Sequence, residues 1–311
     1  MALPNRFVVV VFVSFMLVGF IVPSSSWTVS TALENFTVSD FHTIQVALNL
    51  EWLEAEYFLW ASYGYGLDIV DPSLPSGGPE PIGVQKAKLD TFTTDIFVQL
   101  GLQEVGHLRA IKEALGTYFF PRVQLDLSKD TWAKIFDNAF GEKLHPSFDP
   151  YANSLNYLIS TYTIPYVGLT GYVGAAPLLT GQGAKALVAG LLGVEAGQDA
   201  IIRSYLYEKK NEIVKPYKYT VADFTNKVSS LRDSLSHAFV DKGLEVPKHL
   251  GAEGKVSGNI LSADANSVAF ARTAKQVFET VYGTGDASKP GGFYPMGGNG
   301  TIALSYLNAL A

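Results

Sequence analysis

The sequence predicts an all-α protein: four long helices packed as a bundle, with a long connection in the middle. Three observations predict this fold. Four segments have helical character, and they cover residues 39–64, 85–115, 151–173 and 184–210. About 35 residues separate the second segment from the third, enough to cross the length of a bundle. The second segment contains Glu104 and His107 in the spacing Glu-x-x-His, which places both side chains on one helix face.

The composition excludes several classes of function. The chain has 311 residues, of which 48% are hydrophobic and 17% charged, so it can bury a large core in one or two domains. Its net charge is −6, with scattered lysines and arginines, which argues against nucleic acid or an anionic membrane as partner. It has no cysteine, so disulfides, thiolate-bound zinc and iron–sulfur clusters are excluded.

The first 26 residues are predicted to be a secretory signal peptide. Arg6 precedes an apolar run over residues 7–22, Pro23 breaks that run, and small serines lie at −3 and −1 of a cut before Trp27. A membrane anchor is the alternative, but the run is a little short for one. We therefore expect a mature chain in the secretory pathway, extracellular (in the apoplast) or vacuolar, with no membrane contact after cleavage. Glycosylation sequons at Asn35 and Asn299 fit that route.

The first helix, residues 39–64, is apolar around much of its circumference, which is typical of a helix buried on more than one side. Glu51 and Glu54 lie one turn apart on it, so at least one carboxylate is expected in the interior. The alternative is that one of them reaches solvent or pairs with a lysine. Glu56 is predicted to be an ordinary surface charge.

The second helix, residues 85–115, follows a proline- and glycine-rich loop and carries Glu104 and His107 on a face that looks buried. A buried carboxylate is costly unless it is paired, and a metal ion shared with other helices would pair it. Glu-x-x-His facing into a helical bundle is the motif of di-iron and di-manganese carboxylate proteins. A chance buried pair is the alternative, because the motif alone is common.

The third and fourth helices complete the predicted bundle. The third, residues 151–173, is rich in Tyr, Leu, Ile and Gly, and Pro165 inside it should kink it. The fourth, residues 184–210, buries Glu195 in an apolar run. Gln198 follows three residues later, at the position where the first motif has histidine.

Residues 27–210 are predicted to form the bundle, and residues 211–311 to pack on it as further helices and a tail. A fifth helix is expected over residues 220–240 and a sixth over residues 264–282. The tail over residues 283–300 has too much glycine and proline for regular structure. Three of its side chains are expected to hold it to the body: Phe293, Tyr294 and Met296.

Several segments resemble, in order and spacing, the ferritin-like domain of plant desiccation-related proteins. They are ALNLEWLEAEYF (47–58), LQEVGHLRAI (102–111), IPYVGLTGYVGAAP (164–177), LLGVEAGQDAIIRSYLYE (191–208) and the tail KPGGFYPMGGNG (289–300). The resemblance covers residues 38–300. It implies a secreted ferritin-like four-helix bundle with additional C-terminal helices, linked to dehydration stress, whose biochemical activity is poorly defined.

The wider ferritin-like superfamily implies a di-metal centre. The ligands carried over to this sequence would be Glu51 or Glu54, Glu104, His107 and Glu195. Two positions depart from the pattern, because Pro165 stands where related domains have a glutamate and Gln198 where a second histidine is expected. A glutamine carbonyl is a poor substitute for imidazole on iron. A single iron, manganese or zinc ion, or no metal at all, would then suit the remaining set.

Four interpretations follow. The first is a stress-protective or ligand-binding protein with a reduced metal site. The second is an enzyme that uses Glu104, His107 and Glu195 for acid–base or metal-assisted chemistry on a small apolar molecule. Its pocket would be lined by Tyr57, Tyr162, Tyr166, Tyr172 and Gln198. The third is a di-iron oxidase, which the two departures disfavour, and the fourth is a purely structural polar cluster. In a metal-free cluster at least one carboxyl pKa should be raised.

Overall fold

The computed structural model describes residues 36–239 and 241–308, so the predicted signal peptide (residues 1–26) and Asn35 lie outside the described residues. Helices and irregular segments make up this part of the chain, and it contains no β-strand. The helices are α1 Val38–Tyr63, α2 Thr91–Leu115, α3 Lys129–Phe140, α4 Ser154–Thr161, α5 Pro165–Ala175, α6 Gln182–Glu208, α7 Val221–Ser236, α8 Ala274–Val281 and α9 Thr301–Leu307. A single helical turn, Leu67–Val70, follows α1.

Four helices form the predicted bundle and confirm the fold class. Helix α1 packs against α2 and α5, and α6 packs against α5 and α2. The long connection between α2 and α4 contains α3, which packs against α7 rather than entering the bundle. Helices α8 and α9 cover α5 and α1 respectively. No helix in the described ranges combines the length and apolarity that a membrane span needs.

Two helix boundaries in the bundle differ from the prediction. Helix α2 begins at Thr91 instead of residue 85, because the Asp90 side chain accepts a hydrogen bond from the backbone N–H of Thr93 and caps the helix there. The third predicted helix is two helices, since Pro165 starts α5 instead of kinking a continuous helix. Proline fits the first helical position, where the missing N–H would have no helical partner.

The C-terminal part differs more. The helix predicted over residues 264–282 is only α8, because the Asp264 carboxylate accepts the backbone N–H groups of Asn266 and Val268 and folds that stretch into a turn. The tail is irregular as predicted, but it ends in α9, which was not predicted. Phe293 and Tyr294 are buried in the core, as predicted, whereas Met296 is 75% exposed and does not hold the tail to the body.

Glu56 was predicted to be a surface charge, and that prediction is wrong. It is fully buried and pairs with the guanidinium of Arg122, which is buried too. Arg122 also donates to Asp68 at 2.7 Å and to the carbonyls of Gly78 and Pro79. The pair joins α1 to the connection after α2, a contact 66 residues apart in the chain.

A buried arginine cluster ties the C-terminal part to the bundle. Arg203, Arg232 and Arg272 are each at most 1% exposed. Asp241 pairs with Arg232 at 2.6 Å and with Arg272 at 2.9 Å. Arg203 donates to the carbonyl of Asn259 at 2.6 Å. These bonds hold the irregular segment between α7 and α8 against α5, α6 and α7.

Asn49 on α1 anchors the tail. Its side-chain amide donates to the Asn299 carbonyl at 2.9 Å, and its side-chain oxygen accepts the Asn299 N–H at 2.8 Å. Its own carbonyl accepts the Tyr294 hydroxyl at 2.8 Å. A single buried amide therefore satisfies both backbone groups of one tail residue.

Replacing Asn49 with alanine should lower the free energy of unfolding by about 1–3 kcal/mol, because it removes the partner of both partly buried backbone groups of Asn299. Urea unfolding measures the change. Asn226→Ala, at an exposed position of α7, serves as the matched control and should change stability by less than about 0.5 kcal/mol. Equal stability of the two variants would show that Asn49 does not anchor the tail.

Candidate metal centre

Three helices deliver the predicted site residues to one place in the bundle. Glu51 and Glu54 come from α1, Glu104 and His107 from α2, and Glu195 from α6. Each of the four glutamates is at most 2% exposed. Helix α1 is buried on nearly every side, so neither of its glutamates can turn to solvent.

The side chains converge on one point. Nδ1 of His107 lies 3.1 Å from a Glu51 oxygen, 3.2 Å from a Glu195 oxygen and 3.4 Å from a Glu104 oxygen. These four residues each offer one ligand atom, and the atoms all lie within 4.8 Å of one another. One ring N–H cannot satisfy three carboxylates at once, and a cation that they share would satisfy them.

Unpaired buried oxygens in the same place support that explanation. Within the described residues, four oxygens around the cluster lack a hydrogen-bond partner, namely Glu54 Oε2, Glu104 Oε2, Glu195 Oε2 and Gln198 Oε1. An unpaired buried polar atom costs about 1–3 kcal/mol. A bound cation would remove that cost. Carboxylate oxygens with one imidazole suit iron, manganese or zinc, so the residues present fit a metal.

The charges of the cluster depend strongly on one another. Burial raises the pKa of Glu54 and Glu104 well above its usual range, and repulsion by Glu195 raises it further. Burial also raises the pKa of Glu195 to about 7, against a hydrogen bond with His107. For Glu51 burial is outweighed by the charge of His107, so its pKa is lowered. The carboxylates likewise outweigh the burial of His107 and raise its pKa.

The structure distinguishes the two glutamates of α1. Glu51 belongs to the four-residue set with His107. Glu54 lies beside that set, against Gly168 of α5, where an added Cβ would sit 3.1 Å from Glu54 Oε1. Glycine at this position therefore makes room for the fourth carboxylate. No local sequence pattern indicates that role of Gly168.

The two departures from the expected ligand set have visible consequences. Gln198 donates its side-chain amide to Glu104 at 2.5 Å, so it positions a carboxylate where a histidine would bind metal. Helix α5 begins at Pro165 and carries no carboxylate. It contributes instead the hydroxyl of Tyr172, which donates to Oε1 of Glu51. Hydrogen bonds of this kind orient ligands and tune a metal site.

Replacing Tyr172 with phenylalanine should weaken metal binding about 10- to 100-fold, because Glu51 loses the donor that orients it. Calorimetric titration of the metal-free protein with Mn²⁺ measures the affinity. Tyr57→Phe removes a buried hydroxyl that bonds Ser160 instead, and it should leave the affinity unchanged. Equal affinities for both variants would contradict a role for Tyr172.

Three of the predicted pocket tyrosines, Tyr57, Tyr162 and Tyr166, have partners outside the cluster. Tyr57 shares its hydroxyl with Ser160. Tyr162 bonds Ser229 and lies with Tyr166 among the buried arginines. The arginines that pack on these two rings come from distant parts of the chain, so no local sequence pattern indicates the contacts. Tyr172 and Gln198 do contact the cluster carboxylates.

Comparison with known proteins agrees with the fold. Residues 39–208 match the family model of the ferritin-like domain. The chain is 50% identical over 270 residues to the ferritin-like catalase Nec2 of Nesocodon mauritianus, which covers 86% of each chain. It is 52% identical over 258 residues to the desiccation-related protein PCC13-62 of Craterostigma plantagineum, covering 83% of this chain and 82% of the relative. No solved structure matches the chain.

The chain therefore belongs to the ferritin-like family. The resemblance to plant desiccation-related proteins is confirmed, and one relative of nearly equal identity carries the name of a catalase.

Proposed function

We propose that this protein is a secreted metal-dependent enzyme that disproportionates hydrogen peroxide at the cluster of Glu51, Glu104, His107 and Glu195. The observation that carries the proposal is the convergence of three buried carboxylates on one imidazole nitrogen, with buried oxygens of Glu54, Glu104 and Glu195 that have no hydrogen-bond partner beside it. The catalase relative, 50% identical over most of both chains, points to the reaction. A role during water loss, to which the name of the desiccation-related relative refers, is compatible with peroxide removal.

The reaction needs proton storage as well as electron transfer. One peroxide loses two protons and two electrons and becomes dioxygen, while the other gains them and becomes two waters. A bound redox-active metal ion, iron or manganese, supplies the electron transfer. Glu54 lies beside the four proposed ligands, and burial raises its pKa well above the usual range, so it can hold one of the two protons between the half-reactions. Gln198 and Tyr172 keep the carboxylates in position.

The small volume of the cavity beside the cluster favours peroxide as the substrate over the small apolar metabolite that the sequence also allowed. The cavity that reaches Tyr172 and Gly168 has a volume of about 30 Å³. That volume suits about two water-sized molecules. An organic metabolite would require the bundle to open.

A protective metal-binding protein without turnover is the second candidate. It is favoured by Pro165 and Gln198, which leave the set short of one carboxylate and one histidine relative to the pattern of a full di-metal centre. The same two residues argue against a di-iron oxidase. Peroxide assays of the metal-loaded protein separate this candidate from the catalase.

Secretion is part of the proposal, and the features that support it are the predicted signal peptide over residues 1–26 and the two glycosylation sequons. Asn299 is half-buried, and its side-chain oxygen accepts the N–H of Gly300. Peptide mapping of the plant-expressed protein, before and after removal of glycans, tests both sequons and the mature N-terminus. A mature chain that starts at Met1 in the cytosol would contradict secretion.

The test of the proposed activity is dioxygen release from hydrogen peroxide. Protein loaded with manganese, iron or zinc is compared with metal-free protein in an oxygen electrode. We expect one dioxygen for every two peroxides with manganese or iron, and none with zinc or without metal. Tight metal binding with no dioxygen release would support the second candidate and overturn the first.

Metal affinity should rise with pH between about 5 and 8. Burial and repulsion raise the pKa of Glu195 to about 7 and that of Glu104 well above its usual range, so the metal-free cluster holds protons that a metal must displace. Fewer protons compete with the metal for the carboxylates as pH rises, so the metal affinity increases with pH. Titrations at several pH values in two buffers of different ionisation enthalpy give the affinity and the protons released. An affinity independent of pH would contradict protonated carboxyls in the cluster.

A further inference from the structure

A small apolar cavity adjoins the candidate metal centre on the side of α5. It lies between α1, α5, α6 and α8 and has a volume of about 30 Å³, so it can hold about two water-sized molecules. The residues of its lining that matter here are Ala47, Leu50, Gly168, Tyr172, Ala175 and Val188.

Two residues that line the cavity lie next to carboxylates of the site, Tyr172 beside Glu51 of the cluster and Gly168 beside Glu54. Tyr172 lines the cavity with its ring and donates its hydroxyl to Glu51. Gly168 lines it with bare backbone, and an added Cβ there would lie 3.1 Å from Glu54 Oε1. A single phenol ring and one glycine therefore separate the cavity from two carboxylates of the site.

The side of the cavity that faces solvent is uncharged. Four lining residues are half-buried there, namely Val46 and Ala47 of α1 and Gly171 and Ala175 of α5. None of the described lining residues carries a charge. An ion would lose its hydration there without compensation, whereas a small neutral molecule would not.

We infer that this cavity is the passage through which hydrogen peroxide reaches the centre and dioxygen leaves it, and that Ala47 and Ala175 set the size limit. The inference rests on the proposed function. Hydrogen peroxide is neutral and not much larger than water, so it fits, whereas a hydroperoxide with a bulky organic group does not. The competing entrance is the edge of His107, whose side chain is 9% exposed.

The test narrows the side of the cavity that faces solvent with the double variant Ala47→Leu/Ala175→Leu. Its matched control is Ala186→Leu/Ala189→Leu, two exposed positions of α6 that do not line the cavity. We expect kcat/KM for hydrogen peroxide to fall roughly tenfold or more in the narrowed variant. Metal content and thermal midpoint should equal those of the control. Ala175→Val replaces the double variant if the latter does not fold.

A second readout needs neither metal nor turnover. Crystals of the metal-free protein pressurised with krypton should bind the gas in the cavity of the wild type and the control, but not of the narrowed variant. Krypton missing from the wild-type cavity would overturn the passage. An unchanged kcat/KM for hydrogen peroxide in the narrowed variant would also overturn the passage, and the edge of His107 would then be the entrance. A wild type that binds krypton but consumes no peroxide would overturn the proposed function, and with it the role of the cavity in peroxide entry.

Discussion

Replacing Glu104 and His107 together with alanine should abolish metal binding and peroxide turnover while leaving the fold intact. The double variant removes two of the four convergent ligands. Removal of one outer hydrogen-bonding partner already weakens a metal site about 10- to 100-fold, so loss of two ligands should leave no stoichiometric metal. Elemental mass spectrometry and dioxygen release measure the two effects.

The stability of the single variant Glu104→Ala separates a metal centre from a structural cluster. In the metal-free protein Glu104 is repelled by Glu195 and Glu51, so its removal should not lower the unfolding midpoint, whereas removal of His107 takes away the positive charge that offsets the burial of Glu51. A structural cluster would instead lose several kcal/mol, about 3–5, when its buried pairs are broken. Glu113→Ala/His42→Ala changes the same residue types outside the cluster and should keep metal and turnover.

Replacing Asp241 with alanine should destabilise the protein by about 3–5 kcal/mol, because it leaves Arg232 and Arg272 buried without their carboxylate. Both guanidiniums are 1% exposed, and the nearby Arg203 adds a third buried charge. The thermal midpoint should fall by on the order of 10 °C. Urea unfolding at neutral pH measures the free energy.

Two controls make the Asp241 result specific. Asp95→Ala removes an exposed carboxylate from α2 and should change stability by less than about 0.5 kcal/mol. Adding Arg272→Met to Asp241→Ala should recover part of the loss, since it deletes one of the stranded charges. An Asp241→Ala variant as stable as the wild type would show that the arginines do not need Asp241.

The elements of the bundle could be predicted because their signals are local. Apolar periodicity marked α1, α2 and α6, and the Glu-x-x-His spacing placed Glu104 and His107 on one face. Glu195 stood out as a carboxylate in an apolar run of α6. Each of these signals lies within a few residues of sequence, where helix geometry converts spacing into direction.

The remaining features depend on contacts between distant segments. Glu56 looked like a surface charge because its partner Arg122 comes 66 residues later. Tyr162 and Tyr166 were predicted to line the pocket. Their contacts with arginines could not be predicted, because those arginines come from α6, α7 and the segment before α8. Such pairings are set by tertiary packing, which no window of sequence contains.

The choice between Glu51 and Glu54 shows the same limit within one helix. Both lie on α1, one turn apart, and both are buried. Only the position of His107 selects Glu51, and only the missing side chain of Gly168 leaves space for Glu54. The break before α5 was visible as Pro165, but whether proline kinks a helix or starts one depends on the packing around it.

The most direct test of the metal centre is elemental mass spectrometry of the mature protein purified without chelators. We expect iron or manganese in near-stoichiometric amount, and its loss in the Glu104→Ala/His107→Ala variant. Stoichiometric zinc would keep the metal centre but contradict the catalase. No metal in the purified protein, together with no uptake from solution, would contradict the centre itself.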